Sequence, residues 1–368
     1  MYTINFEEWP TPIAAHKGTV LDAALSQGIP YPHQCRVGEC GNCKSRLLSG
    51  NIKHDPCLPD VLTDEEKDRG LILACRARPQ SDINVSWKGA TDNDMESETQ
   101  ATSPHPIREI PSRIDSIDLV SPEVTRLGLS LLGEPLVFSA GQYLRLSVGS
   151  LPSRSFSMAN AADPNGCASL EFHIKHVRGG QVSPFIANRL KVNHAVSVEG
   201  PFGIACLENH HDGPIVALAG GTGIAPMLSI VNTVFMLGTE QPVHLYWSLK
   251  KATDVYALPE LELLMGHPMI KVHILLTEES GIPGFREGRI HQALAADFHS
   301  LSGTRVYTAG PPNMVKSVKE TSLALGASPS HIHCDAFTPS GLEPASVSMP
   351  REKPSLLRRL AWLGARFK

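Results

Sequence analysis

The sequence predicts a multidomain protein of α+β and α/β class: a small mixed N-terminal unit, an antiparallel β-barrel, and a parallel α/β unit. Three observations predict it. A polar stretch, GATDNDMESETQATSPHP, separates a cysteine-rich beginning from the rest of the chain. Beyond it, short alternating runs are punctuated by Pro, Gly and Asn, the pattern of a compact antiparallel barrel. From Gly213 onward, apolar runs alternate with helical ones, which implies a parallel sheet with helices on both faces.

Composition agrees with a folded enzyme. The chain has 368 residues, too many for one ordinary core, with 42% hydrophobic and 19% charged residues. A formal charge of −4 gives no electrostatic case for nucleic acid. No apolar run approaches the roughly 20 residues of a membrane helix. After Met1-Tyr2-Thr3 no basic stretch followed by an apolar one occurs, so a cytoplasmic location is expected.

The expected boundaries are 1–89 for the first unit, 90–106 for the linker, 107–207 for the barrel, 208–340 for the α/β unit and 341–368 for a basic tail. In the first unit, Gly18–Gln27 has a helical pattern and Leu71–Ala74 an apolar one. Barrel strands are predicted at Ser112–Val120, Val124–Leu131, Gln142–Val148, Ser169–Val177 and Ala195–Glu199, with a helix at Gln181–Leu190. The α/β unit should have strands at Pro214–Ala219, Val243–Trp247, Ile270–Leu276 and Arg305–Ala309. Its helices should lie at Ala225–Leu237, Leu258–Met265, Gly288–Ala296 and Asn313–Leu325.

Five of the 8 cysteines fall before residue 76. Cys35, Cys40 and Cys43 form C-x4-C-x2-C, and Cys75 follows after a long gap. This is the spacing of a plant-type [2Fe–2S] centre: three thiolates from one loop and a fourth from elsewhere in the fold. Zinc sites prefer two short cysteine knuckles, and Cys75 has no such partner. Gly38 and Gly41 between the ligands let the loop wrap closely. Cys57 reads as a spare small hydrophobe. Residues 1–89 resemble a plant-type ferredoxin domain, which implies a β-grasp fold.

In the barrel, Arg154-Ser155-Phe156-Ser157-Met158-Ala159 resembles the R-x-[YF]-S motif of the ferredoxin–NADP reductase superfamily. A guanidinium fork suits a phosphate, an aromatic ring packs on a flat ring, and a hydroxyl can bond a ring nitrogen. The resemblance implies that Arg154 holds the flavin pyrophosphate, Phe156 packs on the flavin and Ser157 reaches its N5 side. Gly179-Gly180-Gln181-Val182-Ser183 opens the predicted helix. Its Gly180, Val182 and Ser183 are the expected phosphate cradle, since a helix N-terminus favours an anion. FAD rather than FMN is implied by the family's domain order.

Leu218-Ala219-Gly220-Gly221-Thr222-Gly223-Ile224-Ala225-Pro226 joins a buried strand to a helix. Gly221, Thr222 and Gly223 let the backbone approach a dinucleotide, and Pro226 fits the helix's first turn. The absence of Gly-Lys-Ser/Thr disfavours a nucleoside triphosphate. Glu199-Gly200-Pro201-Phe202-Gly203 resembles the turn between flavin and nicotinamide domains. Ala309-Gly310-Pro311-Pro312-Asn313-Met314 resembles the family's C-G-P-P-x-M motif, with Ala309 in place of the cysteine. Gly310 and Pro311 keep their backbone role there, and a thiol role does not transfer. Phe337, after Asp335 and Ala336, is the candidate aromatic against the flavin, or ordinary core. Asp254-Val255-Tyr256 favours NADH, while Ser248, Lys250 and Lys251 leave NADPH open.

His331 and His333 would share one strand face. Lacking a third ligand, they read as solvent-facing rather than as a metal site. The tail from Ser355 to Lys368 has a short basic amphipathic pattern, suited to docking on its own domain, to a partner or to a membrane surface. The order ferredoxin, FAD and nicotinamide domain, over about residues 1–340, resembles the reductase components of multicomponent aromatic-ring oxygenases, of the naphthalene dioxygenase type. The resemblance implies electron flow from nicotinamide through FAD and the cluster to a terminal oxygenase or an intermediary ferredoxin. The reductase of a deoxysugar dehydratase, or of a phenol or methane hydroxylase, shares this layout. A redox-inactive docking scaffold would need vacant cofactor sites, yet all four thiols are present.

Overall fold

The computed structural model describes residues 2–15, 18–29, 31–33, 38, 41, 43–57, 61–88, 105–208, 213–238 and 240–337. Cys35, Cys40, linker residues 90–104 and the tail 341–368 lie outside the described residues. The chain divides into two units: Met1–Pro104 with Phe202–Ile204, and His105–Pro201 with Ala205–Lys368.

The first unit runs β1 (Tyr2–Phe6), β2 (Ile13–Ala15), α1 (Val20–Ser26), β3 (Lys44–Ser49), β4 (Ile52–His54), α2 (Asp64–Asp68), β5 (Leu71–Leu73), β6 (Ala77–Pro79) and β7 (Ile83–Ser86). Among the described residues these form a sheet ordered β2-β1-β7-β3-β5 and a separate β4-β6 ribbon. β1 and β7 pair in parallel, and the other pairs are antiparallel, as a β-grasp requires. Thr19 caps α1 by accepting from Asp22 N while Asp22 returns a bond to Thr19 N at 3.0 Å, a capping box. Val20, Leu21 and Ala24 turn inward onto Ile4, Leu73 and Val85. Most of these strands escape the sequence reading because three to five residues are too few to establish an alternation.

In the second unit the barrel runs β8 (Arg108–Ser121), β9 (Val124–Leu131), β10 (Tyr143–Ser147), β11 (Arg154–Ser157), β12 (Ser169–Lys175), α3 (Val182–Asn188) and β13 (Ala195–Phe202). The order is β11-β10-β13-β8-β9-β12. A bridge between Met158 and Phe172 joins the end strands and closes the sheet. β11, absent from the sequence reading, is the Arg154–Ser157 motif itself.

The α/β lobe runs β14 (Ile215–Gly220), α4 (Ile224–Met236), β15 (Val243–Leu249), α5 (Leu258–Met265), β16 (Ile270–Leu276), β17 (Arg286–Glu287), α6 (Ile290–Asp297), β18 (Arg305–Gly310), α7 (Pro312–Ala324) and β19 (Ile332–Ala336). The sheet is parallel, ordered β17-β16-β15-β14-β18-β19. It carries an apolar layer on each face, as its near-continuous apolar strands require. The chain winds outward from β14 through β15 and β16, then crosses to β18 and β19. The switch point therefore lies between β14 and β18, where ligands bind at the strands' carboxyl ends. Val124 and Ala140 of the barrel enter the core of this lobe, and Ala162 N donates to Thr233 Oγ1 of α4 at 2.9 Å.

His333 departs from expectation. Its side chain is 13% exposed, stacks on Tyr307 at 4.8 Å and has Nε2 3.2 Å from Glu208 Oε1. β19 closes the edge beside β18, so an imidazole on this face meets Tyr307 instead of water.

Candidate functional site

Two sites emerge, one in each unit. In the first, Cys43 lies just before β3 and Cys75 just past β5, and the β3–β5 pairing brings them together. Their sulfurs are 3.2 Å apart and buried, and Cys75 N lies 3.5 Å from Cys43 Sγ. Ala74 N donates to Cys43 O at 2.9 Å, and Leu21 N to Ala74 O at 3.0 Å, so α1 fixes this turn. A Cβ on Gly38 would lie 2.8 Å from Arg76 Cγ and 3.0 Å from Cys57 Cβ. Gly38 therefore packs directly on the segment after Cys75, and two cysteine sulfurs converge, which fits an iron–sulfur centre. Cys57 is partly buried on the core, consistent with a packing role.

The second site is a crevice at the switch point. Gly221 adopts φ +55°, and among the described residues no heavy atom beyond its chain neighbours lies within 4 Å of a Cβ built there. The turn thus presents open backbone to a ligand. Gly223 is the opposite case: its Cβ would lie 2.1 Å from Ala309 O. A Cβ on Gly310 would lie 3.0 Å from Gly220 Cα. The two loops touch backbone to backbone. Pro226 is buried within α4 and shapes the helix. Thr222 is half-buried beside Gly221, and Pro311 precedes α7 at its N-cap.

The barrel contributes β11. Ser157 Oγ lies 3.5 Å from Asp335 Oδ2 on β19. Asp335 pairs in register with Ala309, and Phe337 N donates to Gly310 O at 2.8 Å. Phe337 is half-buried against the lobe's core. Ser157 thus meets Asp335 on the strand beside β18, whose end at Gly310 touches the Gly220–Gly223 turn, so both halves of the unit converge at the switch point. Phe156 packs on the barrel core, and Ser155 is exposed. Arg154 Nη1 donates to Ser153 O at 2.9 Å.

α3 begins without a side-chain cap. Val182 is core, so only its backbone can face a phosphate. Ser183 Oγ accepts from Val177 N at 2.9 Å, and Gly180 N donates to Val177 O at 3.0 Å. These two contacts close the turn before the helix.

Around the strand ends beyond β15, Lys250 Nζ pairs with Glu278 at 2.8 Å, and Asp254 accepts from Lys251 N at 3.0 Å. Glu279 accepts from Ala252 N at 2.7 Å. Tyr256 is buried, its hydroxyl 3.2 Å from His173 Nδ1, so it belongs to the packing under the crevice rather than to its rim.

Sequence reasoning missed Asp335, whose partner Ser157 is 178 positions away. It also missed Trp247, fully buried, whose Nε1 donates to Gly221 O at 2.8 Å. A buried indole needs an acceptor, and that was the available signal. Among the described residues no helix is long and apolar enough to cross a membrane.

Three families of known domains match the chain. The 2Fe-2S iron-sulfur cluster binding domain family matches residues 3–80, the oxidoreductase FAD-binding domain 111–206 and the oxidoreductase NAD-binding domain 217–320. The reductase component of naphthalene 1,2-dioxygenase/salicylate 5-hydroxylase systems from Ralstonia sp. is 33% identical over 88% of this chain and 94% of its own. A CDP-6-deoxy-L-threo-D-glycero-4-hexulose-3-dehydrase reductase from Yersinia pseudotuberculosis is 32% identical over the same shares, 88% and 94%. The crystal structure of an Amycolatopsis cytochrome P450 reductase aligns with a TM-score of 0.77 at 32% identity, covering 93% of this chain and 100% of that one.

Proposed function

This chain belongs to the ferredoxin–NAD(P)+ reductase components of oxygenase and related systems, and on that premise we propose that it draws hydride from NADH in the crevice and delivers single electrons to a terminal oxygenase, directly or through a ferredoxin. The observation that carries this reading is the meeting of Ser157 from the barrel with Asp335 from the nucleotide lobe, 3.5 Å apart, beside the open Gly221 turn.

FAD, when bound, supplies the ability to take two electrons and release them singly. The residues around it divide the remaining work. Arg154 would clamp the pyrophosphate, with backbone N–H groups of Gly180, Val182 and Ser183 on the same phosphates. Phe156 and Phe337 would pack against the flavin ring. Ser157 would turn its one hydroxyl hydrogen from Asp335 to a ring nitrogen. Gly221, Thr222, Gly223, Gly310 and Pro311 would seat the dinucleotide, and Pro226 would hold the helix behind it. Cys35, Cys40, Cys43 and Cys75 would ligate the [2Fe–2S] cluster. Plant-type clusters lie near about −400 mV and Rieske centres at roughly −150 to +300 mV, so onward transfer is downhill.

Preference for NADH is supported by the rim. Lys250 is engaged by Glu278, and Glu279 places a second carboxylate nearby. Carboxylates accept from a ribose hydroxyl and repel a phosphate in its place. Purified protein should be brown, show a rhombic signal on reduction and reduce cytochrome c faster with NADH than with NADPH. Equal rates with NADPH would overturn the NADH assignment, and failure to reduce cytochrome c would favour a docking scaffold. A second reading, a deoxysugar dehydratase reductase, is favoured by the Yersinia relative's 32% identity. Turnover of a dehydratase partner without support of any oxygenase would select it.

A further inference from the structure

We propose that His173 is a positioning residue for hydride transfer, the middle member of a relay that ties the wall of the flavin barrel to the turn that seats the dinucleotide. The inference rests on the nicotinamide-to-flavin reading above and adds to it a means by which the two halves of the crevice hold their register.

The starting point is a polar side chain in an unexpected place. β12 alternates: Leu170, Phe172 and Ile174 fill the barrel, so Glu171 and His173 face outward. An outward imidazole on a barrel strand ordinarily meets water. Here the side chain of His173 is 0% exposed, because Tyr256 of the nucleotide lobe covers it. The two rings meet edge to face at 5.3 Å.

Both ring nitrogens are engaged. Nε2 lies 3.0 Å from Glu171 Oε1, and Nδ1 lies 3.2 Å from the Tyr256 hydroxyl. Burial raises the Tyr256 phenol's pKa well above its ordinary value, so the phenol stays protonated and can donate. Burial also works to raise the Glu171 carboxyl's pKa, but the bond from His173 and the nearby Arg126 charge outweigh it and the net shift is downward. A carboxylate only accepts. Nε2–H therefore donates to Glu171, and in the neutral imidazole that does so Nδ1 accepts from Tyr256.

The relay continues on both sides. Arg126 on β9, in register with His173, brings its Nη2 to 2.6 Å from Glu260 on α5, a charge contact without hydrogen-bond alignment. Tyr256 meets Trp247 edge to face at 5.2 Å, and Trp247 Nε1 donates to Gly221 O at 2.8 Å. At the barrel end, the neighbouring Phe172 bridges Met158, the residue after Ser157. One chain of contacts thus runs from the strand that carries Ser157 to the carbonyl that opens the dinucleotide turn. A lost bond in its middle lets the Gly221 peptide rotate and the lobe shift, and small misplacements are costly when two reacting atoms must be aligned.

The test uses the holoenzyme and the variants His173→Phe, Tyr256→Phe and their double. Tyr256→Phe removes one oxygen, and it carries the test alone if His173→Phe does not fold. Three readouts are taken: the rate of flavin reduction by NADH in stopped flow, the rate of flavin-to-cluster transfer after photoreduction, and amide hydrogen exchange over 219–223. Each single variant should slow flavin reduction about tenfold, the scale of one buried hydrogen bond left unmade. Exchange in the turn should rise, and flavin-to-cluster transfer should be unchanged. The double variant should be no slower than the worse single one, because one relay has been cut twice. Unchanged flavin reduction, unchanged exchange, or penalties that multiply in the double variant each overturn the proposal. A wild-type protein that NADH does not reduce instead overturns the reading it rests on, and that is seen before any variant is compared.

Discussion

The cysteine centre and the crevice are assembled over very different spans of chain. Cys43 and Cys75 are 32 positions apart and meet through one pair of adjacent strands. Ser157 and Asp335 are 178 positions apart and meet only because a closed barrel and a doubly wound sheet bring their ends together. The first site is a property of local spacing and the second a property of topology. Damage to the first should be confined to electron exit. Damage to the second should appear at electron entry and in the lobe's stability.

The sharpest way to break this contrast is Cys75→Ser. It should lower NADH-driven cytochrome c reduction by at least ~100-fold, since even supporting residues of a metal site are worth 10–100-fold, while flavin reduction by NADH stays intact. Loss of both rates would mean the units are not separable. Next in size is Gly223→Ala. A methyl group 2.1 Å from Ala309 O forces the loops apart. Overpacking costs about 1–3 kcal/mol, so titration calorimetry should find NAD+ affinity lowered about tenfold, with the iron signal unaltered.

A smaller effect is expected for Ser157→Ala. Removing one hydroxyl should slow flavin reduction about fivefold at unchanged flavin content, and stopped-flow absorbance checks it. The smallest concerns pH. Burial first, then the Arg286 charge, push His273 in the nucleotide lobe down to about 4. Above pH 6.5 its imidazole is neutral folded or unfolded. Between 6.5 and 4 the unfolded chain takes up the proton first, so stability falls as the pH drops through that window. Allowing for partial solvent screening, the loss by pH 5 is about 1 kcal/mol. Melts of wild type and His273→Phe should show a shallower pH slope in the variant.

The same contrast decides what could be read from sequence. Cysteine spacing pointed to the 2Fe-2S domain that the family match over residues 3–80 bears out, while Cys35 and Cys40 lie outside the described residues. The long strands β9 and β16 match their predicted ends because eight and seven residues establish a pattern. β11 did not register as a strand because four residues, Arg-Ser-Phe-Ser, alternate polar with mixed character. Asp335 and His173 carried no local signal at all, and Trp247 only the need of a buried indole for an acceptor. Each acquires meaning only from a partner in another element. Tyr256, read only as part of the Asp-Val-Tyr stretch that favours NADH, is buried with its hydroxyl 3.2 Å from His173 Nδ1.

The bare contact between the turns after β14 and β18 has one more consequence. With Gly223 against Ala309 O, and Gly310 against the Gly220 backbone, the floor of the nucleotide seat has no room for an added substituent. Adaptation to a different coenzyme would have to proceed at the periphery, through residues such as Lys250 and Glu278, leaving the hydride geometry untouched. Selectivity and reactivity would then be free to evolve separately within one lobe.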